Sequence, residues 1–279
     1  MPICTITSVP KSIRHLSTAT ITTNHDIKPL FRHIEKKFPT RLREDKWYLT
    51  AVSQESMFLQ QIGALVGTTM LSEVGELYRY LISTPAYANP EQRQHLVRRM
   101  REALIKCIVL NGIPRVLQAL RSIAQLERQE DKDYSFSRER WQVTEATRAH
   151  ALSVLDILYR EDYEKIMDKF EAHRDIPFIS TEISYGFFLA DHTVLDLVET
   201  ELVMMPNILS QDLNGPAMWH IRGCVRSGIT PEETETIQQI SEDVVAWAGK
   251  NADVGRVTEI SDDMHGLIET PAQLEEGKK

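Results

Sequence analysis

The chain has 279 residues, of which 42% are hydrophobic, and its formal net charge is −8 at neutral pH. This length and hydrophobic fraction are sufficient for a buried core, which excludes a chain that is disordered throughout. The net charge is negative, the chain has no long basic run, and only 7% of its residues are aromatic. These three observations exclude nucleic acid as an expected partner.

Cysteine content and hydropathy bear on the cellular compartment. No uninterrupted apolar stretch approaches the roughly eighteen residues that span a bilayer, so we expect no membrane partner. Cys4, Cys107 and Cys224 are widely spaced and odd in number, which fits a reducing compartment better than a disulfide framework.

Residues 1–28 form a segment of distinct composition. It is rich in Ser and Thr, carries Lys11 and Arg14, and has no acidic residue in its first 25 positions. This pattern is typical of a mitochondrial transit peptide, and a disordered polar tail is the alternative. We therefore predict a mitochondrial location, with the cytoplasm as the alternative. The C-terminal tripeptide 277–279 does not match a peroxisomal signal.

Helical spacing of apolar residues dominates the first half, where only residues 20–23 resemble a strand. The spacing over 53–83 predicts one long helix or two helices joined near Gly67. A helix over 90–111 follows, opened by a proline in its first turn. We assign these elements to an N-terminal helical unit, residues 29–130.

The second half begins after a charge run, residues 127–141. This run lacks apolar periodicity and is predicted to be a solvated linker or loop between the two halves. A second helical unit then covers 140–255, and an acidic flexible tail covers 256–279. Thr230 and Glu233 predict a capping box at the start of its last helix. The other predicted helices of this unit cover 144–159, 163–173, 191–205 and 217–226, with breaks at 174–180 and 206–216.

Glu201 is the residue that most needs an explanation. On a helical wheel, Val194, Val198 and Leu202 form one apolar stripe, and Glu201 lies at its edge. A carboxylate that faces a core is unstable unless it has a partner or a raised pKa. The pattern therefore predicts a polar partner for Glu201.

His220 is the candidate partner, on the rim of the apolar face of the next helix. Antiparallel packing of the two helices would bring Glu201 and His220 together, with the carboxylate orienting the imidazole for acid–base chemistry. The alternative is a buried structural pair without catalytic function.

Three further residues are secondary candidates. Cys224, one turn after His220, could be an activated thiolate, or a small buried hydrophobic residue. His192 with Asp196 could ligate a metal, but no third ligand occurs nearby in sequence, and capping or solvent exposure is the simpler reading. Trp219 is most simply a packing residue.

These motifs resemble those of the carboxymuconolactone decarboxylase and alkylhydroperoxidase-D-like superfamily, especially its long fungal members. The resemblance covers residues 95–255 and is most specific over 185–235. The residues that carry it are Tyr185-Gly186, Asp191-His192, Leu195-Asp196, Glu199, Glu201 and Trp219 to Cys224, with Gly112-Ile113-Pro114 upstream.

The resemblance implies an all-α fold that assembles into homo-oligomers. An upstream Gly-x-Pro helix suggests two diverged copies of the helical unit, of which only the second carries the histidine. In the thiol-peroxidase branch, two cysteines stand between the Glu and the His. The corresponding positions here hold Leu213 and Pro216, which removes that chemistry in its usual form.

The decarboxylase branch lacks those cysteines, and it implies proton transfer without a metal or organic cofactor. The sequence thus predicts a cofactor-free decarboxylase or isomerase that uses Glu201 and His220 on a small-molecule substrate. A non-catalytic helical homo-oligomer is the alternative, and a residual redox protein using Cys224 is a third. No cationic anchor for a substrate is identified, because Arg222 and Arg226 are predicted to face outward.

Overall fold

Every regular element in the described part of the chain is helical. The structure, a computed structural model, describes residues 26–44 and 55–250, together with Gly255 and Val257. No strand occurs among these residues, which confirms the predicted all-α class. The strand-like segment 20–23, and nearly all of the predicted N-terminal segment and C-terminal tail, lie outside them. Within the same residues, no helix has the length and apolar character that crossing a bilayer requires.

Twelve α-helices and one π-helix make up the architecture of the described residues. The α-helices are α1 Lys28–Lys37, α2 Thr40–Glu44, α3 Glu55–Gly67, α4 Glu73–Ile82, α5 Pro90–Asn111, α6 Ile113–Ala124, α7 Glu145–Tyr159, α8 Asp162–Met167, α9 Asp175–Phe178, α10 Leu197–Leu209, α11 Asn214–Arg226 and α12 Pro231–Trp247. The π-helix is Ile179–Leu189, and single 3-10 turns occur at Pro85–Tyr87, Gln129–Asp131 and Asp168–Phe170.

Local capping signals set several helix ends where the sequence predicts them. The Thr230 hydroxyl accepts from the backbone N–H of Glu233 at 3.2 Å, and the Glu233 carboxylate accepts from the Thr230 N–H at 2.9 Å. This is the predicted capping box, in which two otherwise unpaired N–H groups of the first turn are satisfied. The 53–83 region contains two helices, α3 and α4, which agrees with a break near Gly67.

The helix predicted over 191–205 lies further along the chain, at Leu197–Leu209. It begins late because the Asp196 side chain accepts from the Glu199 N–H at 2.8 Å and thereby caps the helix. Pro206 lies inside the helix and does not end it. The missing N–H of Pro206 removes only one backbone hydrogen-bond donor, near the C-terminal end of the helix. The predicted break at Pro206 is therefore wrong.

The charge run 127–141 is a loop between α6 and α7, as predicted, but two of its charged side chains are buried rather than solvated. Asp131 is fully buried and accepts from Arg93 at 2.8 Å, while Arg138 binds both carboxylate oxygens of Glu102 at 2.6 and 2.7 Å. Charges in such a run can be buried when each has a partner. The segment is thus fastened to α5 by ion pairs that carry no periodic signal in the sequence.

The π-helix Ile179–Leu189 occupies part of the region that was predicted as a break. Its last turn is closed by a bond from the Ala190 N–H to the Tyr185 carbonyl at 2.8 Å, a spacing of five residues. Helices with this spacing are rare and are often found at functional sites. The π-helix packs on α7 and carries Tyr185 and Thr181 on its buried side.

Helix α10 is the centre of the core, with every residue from Glu199 to Leu209 buried. It packs against α3, α5, α11 and α12. Its approach to α3 is close: a Cβ added at Gly63 would lie 2.2 Å from the Val203 carbonyl oxygen. Because α3 and α10 belong to the two predicted helical units, those units share one core, and their origin as two copies stays a prediction.

Candidate active site

Glu201 and His220 are in direct contact across α10 and α11. His220 Nδ1 lies 2.9 Å from Glu201 Oε2, and the two residues are 6% and 1% exposed. Glu201 is buried because α10 is surrounded on all sides, and His220 lies on the buried face of α11 beside Ala217 and Cys224. The sequence placed both residues on facing sides of neighbouring helices, and the structure brings them together.

Tyr159, at the end of α7, forms the next contact of this site. Its hydroxyl lies 3.2 Å from His220 Nε2, so both ring nitrogens of His220 have a partner. An ionised carboxylate can only accept hydrogen bonds. With Glu201 ionised, His220 Nδ1 carries the proton, and the Nε2 lone pair accepts from the Tyr159 hydroxyl.

Tyr185, on the π-helix, extends the chain by one step. Its hydroxyl donates to the Tyr159 oxygen at 2.9 Å. The hydrogen bonds therefore run in one direction, from Tyr185 to Tyr159, then to His220 and on to Glu201. We call these four residues the relay. The sequence analysis did not single out Tyr159, and it named Tyr185 only as part of the family-like motif, without a role in the site.

Burial keeps the two tyrosines of the relay protonated at neutral pH. It is the largest cause that raises the pKa of Tyr159, and the charge of Glu201 adds to it, while the hydrogen bond from Tyr185 acts in the opposite direction. The pKa of Tyr185 is also raised well above its usual value, mainly by burial. Both hydroxyls can therefore act as donors.

An aromatic shell surrounds the ring of Tyr159. The centroids of Tyr163, Tyr185 and His220 lie 6.0, 6.1 and 6.0 Å from it, and that of Trp219 lies 6.5 Å away. These separations fall in the range of favourable edge-to-face contacts. Trp219, a secondary candidate from the sequence, thus packs on the relay and is half-buried.

Cys224 is near the relay but lacks the character of a nucleophile. The residue is fully buried, and burial followed by the charge of Glu201 raises the pKa of its thiol well above the usual value. Only the thiolate is reactive, and an activated thiolate needs a cationic neighbour and some exposure. These surroundings favour the reading of Cys224 as a small buried hydrophobic residue.

His192 lies in the loop before α10, and its ring contacts His150 at a centroid distance of 5.7 Å. Burial, with the charges of Lys106 and His150, lowers the pKa of His192 to about 4. Its predicted partner Asp196 caps α10 instead. In the described residues, no group of three or more His, Cys, Asp and Glu side chains could hold a metal ion.

Arg226 does not face outward as predicted. Its side chain is 9% exposed, donates to the Leu158 carbonyl at 2.8 Å and pairs with Asp162 at 3.5 Å. The reason is that the C-terminal turn of α11 packs against the end of α7, whose last carbonyls attract a cation. Arg226 thereby connects α11 to the chain that follows Tyr159.

The relay is enclosed in this structure. Two surface cavities have volumes of about 530 and 490 Å³. The first is lined by residues 167–177 and the second by Ser72 and residues 117–125, and neither borders His220. Tyr159 and His220 are 9% and 6% exposed. A substrate could reach the Tyr159 hydroxyl only after part of the surrounding shell had moved.

Comparison with known proteins gives one distant relative. Over 161 residues the chain is 22% identical to "Peroxisomal protein 2" of Schizosaccharomyces pombe, in an alignment that covers 54% of this chain and 70% of that protein. No family model matches the chain, and no solved structure matches it. The superfamily resemblance of the motifs therefore stays a prediction.

The predicted location is corrected by this comparison. The sequence favoured the mitochondrion, with the cytoplasm as the alternative, on the composition of residues 1–28. The relative is named for the peroxisome, which contradicts both. Composition misled here because basic, hydroxyl-rich segments occur outside transit peptides as well.

Proposed function

We propose that this chain is a peroxisomal, cofactor-free acid–base enzyme of the carboxymuconolactone decarboxylase-like type. The observation that carries the proposal is the engagement of both ring nitrogens of buried His220, with a carboxylate on Nδ1 and a tyrosine hydroxyl on Nε2. The peroxisomal name of the distant relative supports the location, and the motifs around residues 185–235 support the chemistry.

The relay supports proton transfer at a carbon next to a carbonyl group. The Tyr159 oxygen takes the proton of the substrate C–H bond while the hydroxyl proton of Tyr159 passes to His220 Nε2. The substrate becomes an enolate, and His220 becomes an imidazolium that the Glu201 carboxylate stabilises. Return of the proton to another carbon gives isomerisation. Decarboxylation starts from the imidazolium form of His220. After loss of carbon dioxide, the Tyr159 hydroxyl proton passes to the carbanion while the Nε2 proton of His220 passes to the Tyr159 oxygen, and a proton from solvent restores the imidazolium.

The chemistry can be tested without knowledge of the natural substrate. Lactones and β-keto acids are incubated with the full chain in D₂O, and deuterium uptake at carbon is measured by mass spectrometry. Tyr159→Phe, Glu201→Gln and His220→Gln should each reduce the exchange rate about 10²- to 10⁴-fold with little change in melting temperature. His95→Gln, at an exposed histidine of α5, is the matched control and should exchange like the wild type.

A second candidate function is a non-catalytic helical homo-oligomer that keeps the relay as a structural element. The enclosure of His220 favours it, as do Ile113 and Leu117 of α6, which lie one turn apart and are 48% and 56% exposed. Light scattering would measure the assembly. Wild-type protein that exchanges no deuterium, together with a large drop in melting temperature for His220→Gln, would favour this function over the enzyme.

The peroxisomal location needs its own test. The full chain, with a fluorescent tag at either end in turn, is imaged with peroxisomal and mitochondrial markers. Overlap with the peroxisomal marker for at least one tag position is the expected result. Overlap with mitochondria alone, for both positions, would exclude the proposal.

A further inference from the structure

Residues 161–178 follow α7 and touch the relay through Tyr163, which packs on Tyr159. No side chain of α8, of the 3-10 turn at Asp168–Phe170 or of α9 is buried. The main packing partners of α8 and α9 are the neighbouring elements in sequence, α7 and the π-helix. Segments with few buried apolar contacts open at low free-energy cost, well below that of global unfolding.

Two contacts fasten the start of this segment to the body of the protein. Asp162 pairs with Arg226 at 3.5 Å, and the Tyr163 hydroxyl bonds to the Thr181 hydroxyl at 2.5 Å. Asp162 and Tyr163 are adjacent in α8, so the two contacts hold the same part of this helix against the body of the protein. We call these two contacts the latch.

The latch lies beside the relay. The ring of Tyr163 packs on that of Tyr159, and Thr181 lies four residues before Tyr185 on the buried side of the π-helix. Arg226 binds the carbonyl of Leu158, the residue before Tyr159. Movement of α8 away from the body would therefore uncover Tyr159 first.

The chain leaves α7 through a strained residue. Arg160 has φ 52° and ψ −139°, a backbone conformation that side-chain-bearing residues rarely adopt. Further along, Met167, Phe170 and Pro177 line a surface cavity of about 530 Å³, so this face of the segment is open to solvent. A strained residue followed by a segment without buried side chains is an arrangement that can move relative to the core.

We propose that residues 161–178 are a lid over the relay, hinged at Arg160 and held shut by the latch, and that its opening admits substrate to Tyr159 and His220. This proposal rests on the proposed function in one respect: the admission of substrate is a role for the lid only if the relay is catalytic. It explains how an enclosed relay could meet a small molecule, because movement of the lid would uncover Tyr159, which lies directly against His220.

The test measures accessibility and exchange in the full-length protein. Diethyl pyrocarbonate reacts with unprotonated imidazole, and mass spectrometry gives the modification rate at His220. Hydrogen exchange followed by peptide mass spectrometry reports the opening of residues 161–178. The variant Asp162→Asn with Tyr163→Phe removes the latch, and the matched control is Glu164→Gln, an exposed acid on the same helix.

Loss of the latch should raise both the modification rate at His220 and amide exchange in 161–178 about tenfold, as expected when contacts of ordinary strength are lost. The control should match the wild type, and exchange in α10 should not change. If 161–178 exchanges faster while His220 stays protected, the segment is not a lid. If neither rate changes, the two contacts are not a latch, and the proposal is likewise overturned.

Two precautions keep the result interpretable. Should the double variant exchange faster everywhere, Asp162→Asn and Tyr163→Phe are measured singly, because each removes only one contact. Failure of the lid is separable from failure of the enzyme: a chain that exchanges no deuterium into any carbonyl compound refutes the chemistry, whatever the modification rate at His220.

Discussion

Gly223 of α11 lies directly against the carboxylate of Glu201. A Cβ at position 223 would come within 3.1 Å of Glu201 Oε2, the atom bonded to His220, and within 3.3 Å of Leu158 Cδ2. Contacts this short force neighbouring atoms to move. The missing side chain thus allows α10 and α11 to close around the pair of Glu201 and His220.

We predict that Gly223→Ala destabilises the protein by about 1–3 kcal/mol, despite the higher helix propensity of alanine. Gly215, on the same helix, has no atom within 4 Å of an added Cβ, so Gly215→Ala should be neutral or stabilising by no more than about 1 kcal/mol. Denaturant unfolding of both variants measures the difference. Equal effects would mean that Glu201 is not held where the structure has it.

The buried thiols should not react in the folded protein. Cys107 and Cys224 are fully buried; burial raises the pKa of Cys107 to about 12 and that of Cys224 well above its usual value. In a Cys4→Ser variant, a disulfide reagent near neutral pH should label neither thiol until guanidinium is added, and then both. Rapid labelling of Cys224 in the folded protein would support the hypothesis of a redox-active thiol, which the burial of Cys224 argues against.

Lys106 should make stability depend on pH in the alkaline range. Its amine is fully buried and donates to the carbonyls of Phe188, Leu189 and Asp191 at 2.9–3.2 Å. Burial, partly offset by Glu102, lowers its pKa from 10.5 to about 8. Between these two values the unfolded chain binds more protons than the folded one, so the contribution of this group to stability rises with pH.

The comparison that isolates this effect is with Lys106→Met. The difference in unfolding free energy, wild type minus variant, should increase between pH 8 and 10, by at most about 1.4 kcal/mol per pH unit. The variant should be less stable at every pH, since three carbonyls lose their donor. A difference that stays constant or falls with pH would show that the pKa of Lys106 is not lowered.

How much of this structure could be predicted depends on how local its signals are. The capping box at Thr230 and Glu233 was predicted correctly, because both partners lie within one turn of sequence. The pairing of Glu201 with His220 could be inferred since a carboxylate at the edge of an apolar stripe demands a partner, and the next helix offered only one imidazole. In both cases the sequence showed a polar group that needed a hydrogen-bond partner and a nearby residue that could provide one.

The features that sequence reasoning missed have no such signal. The π-helix differs in period from the 3.6-residue pattern used to find helices, so no element was predicted over residues 181–189. No role in the site was predicted for Tyr159 or Tyr185, because a sequence does not show where the hydroxyl of a tyrosine points. Ion pairs that bury Asp131 and Arg138 join residues far apart in sequence, and their charges therefore looked solvated.

The pKa of His192 reports on the buried charges beside the π-helix. Its pKa is lowered to about 4 by burial first and then by the charges of Lys106 and His150. Since the unfolded value is 6.5, the unfolded chain binds more protons between pH 4 and 6.5. This group therefore contributes stability that is present above pH 6.5 and lost as the pH falls toward 4.

Ring NMR of isotope-labelled histidine should show His192 neutral down to about pH 5 in the wild type. Lys106→Met removes a nearby positive charge, so it should raise the pKa of His192 without restoring the full value, because burial remains. Lys165→Met, at an exposed lysine of α8, is the control and should leave the titration unchanged. An identical pKa for His192 in the wild type and in Lys106→Met would mean that Lys106 is either uncharged near pH 5 or not beside this ring.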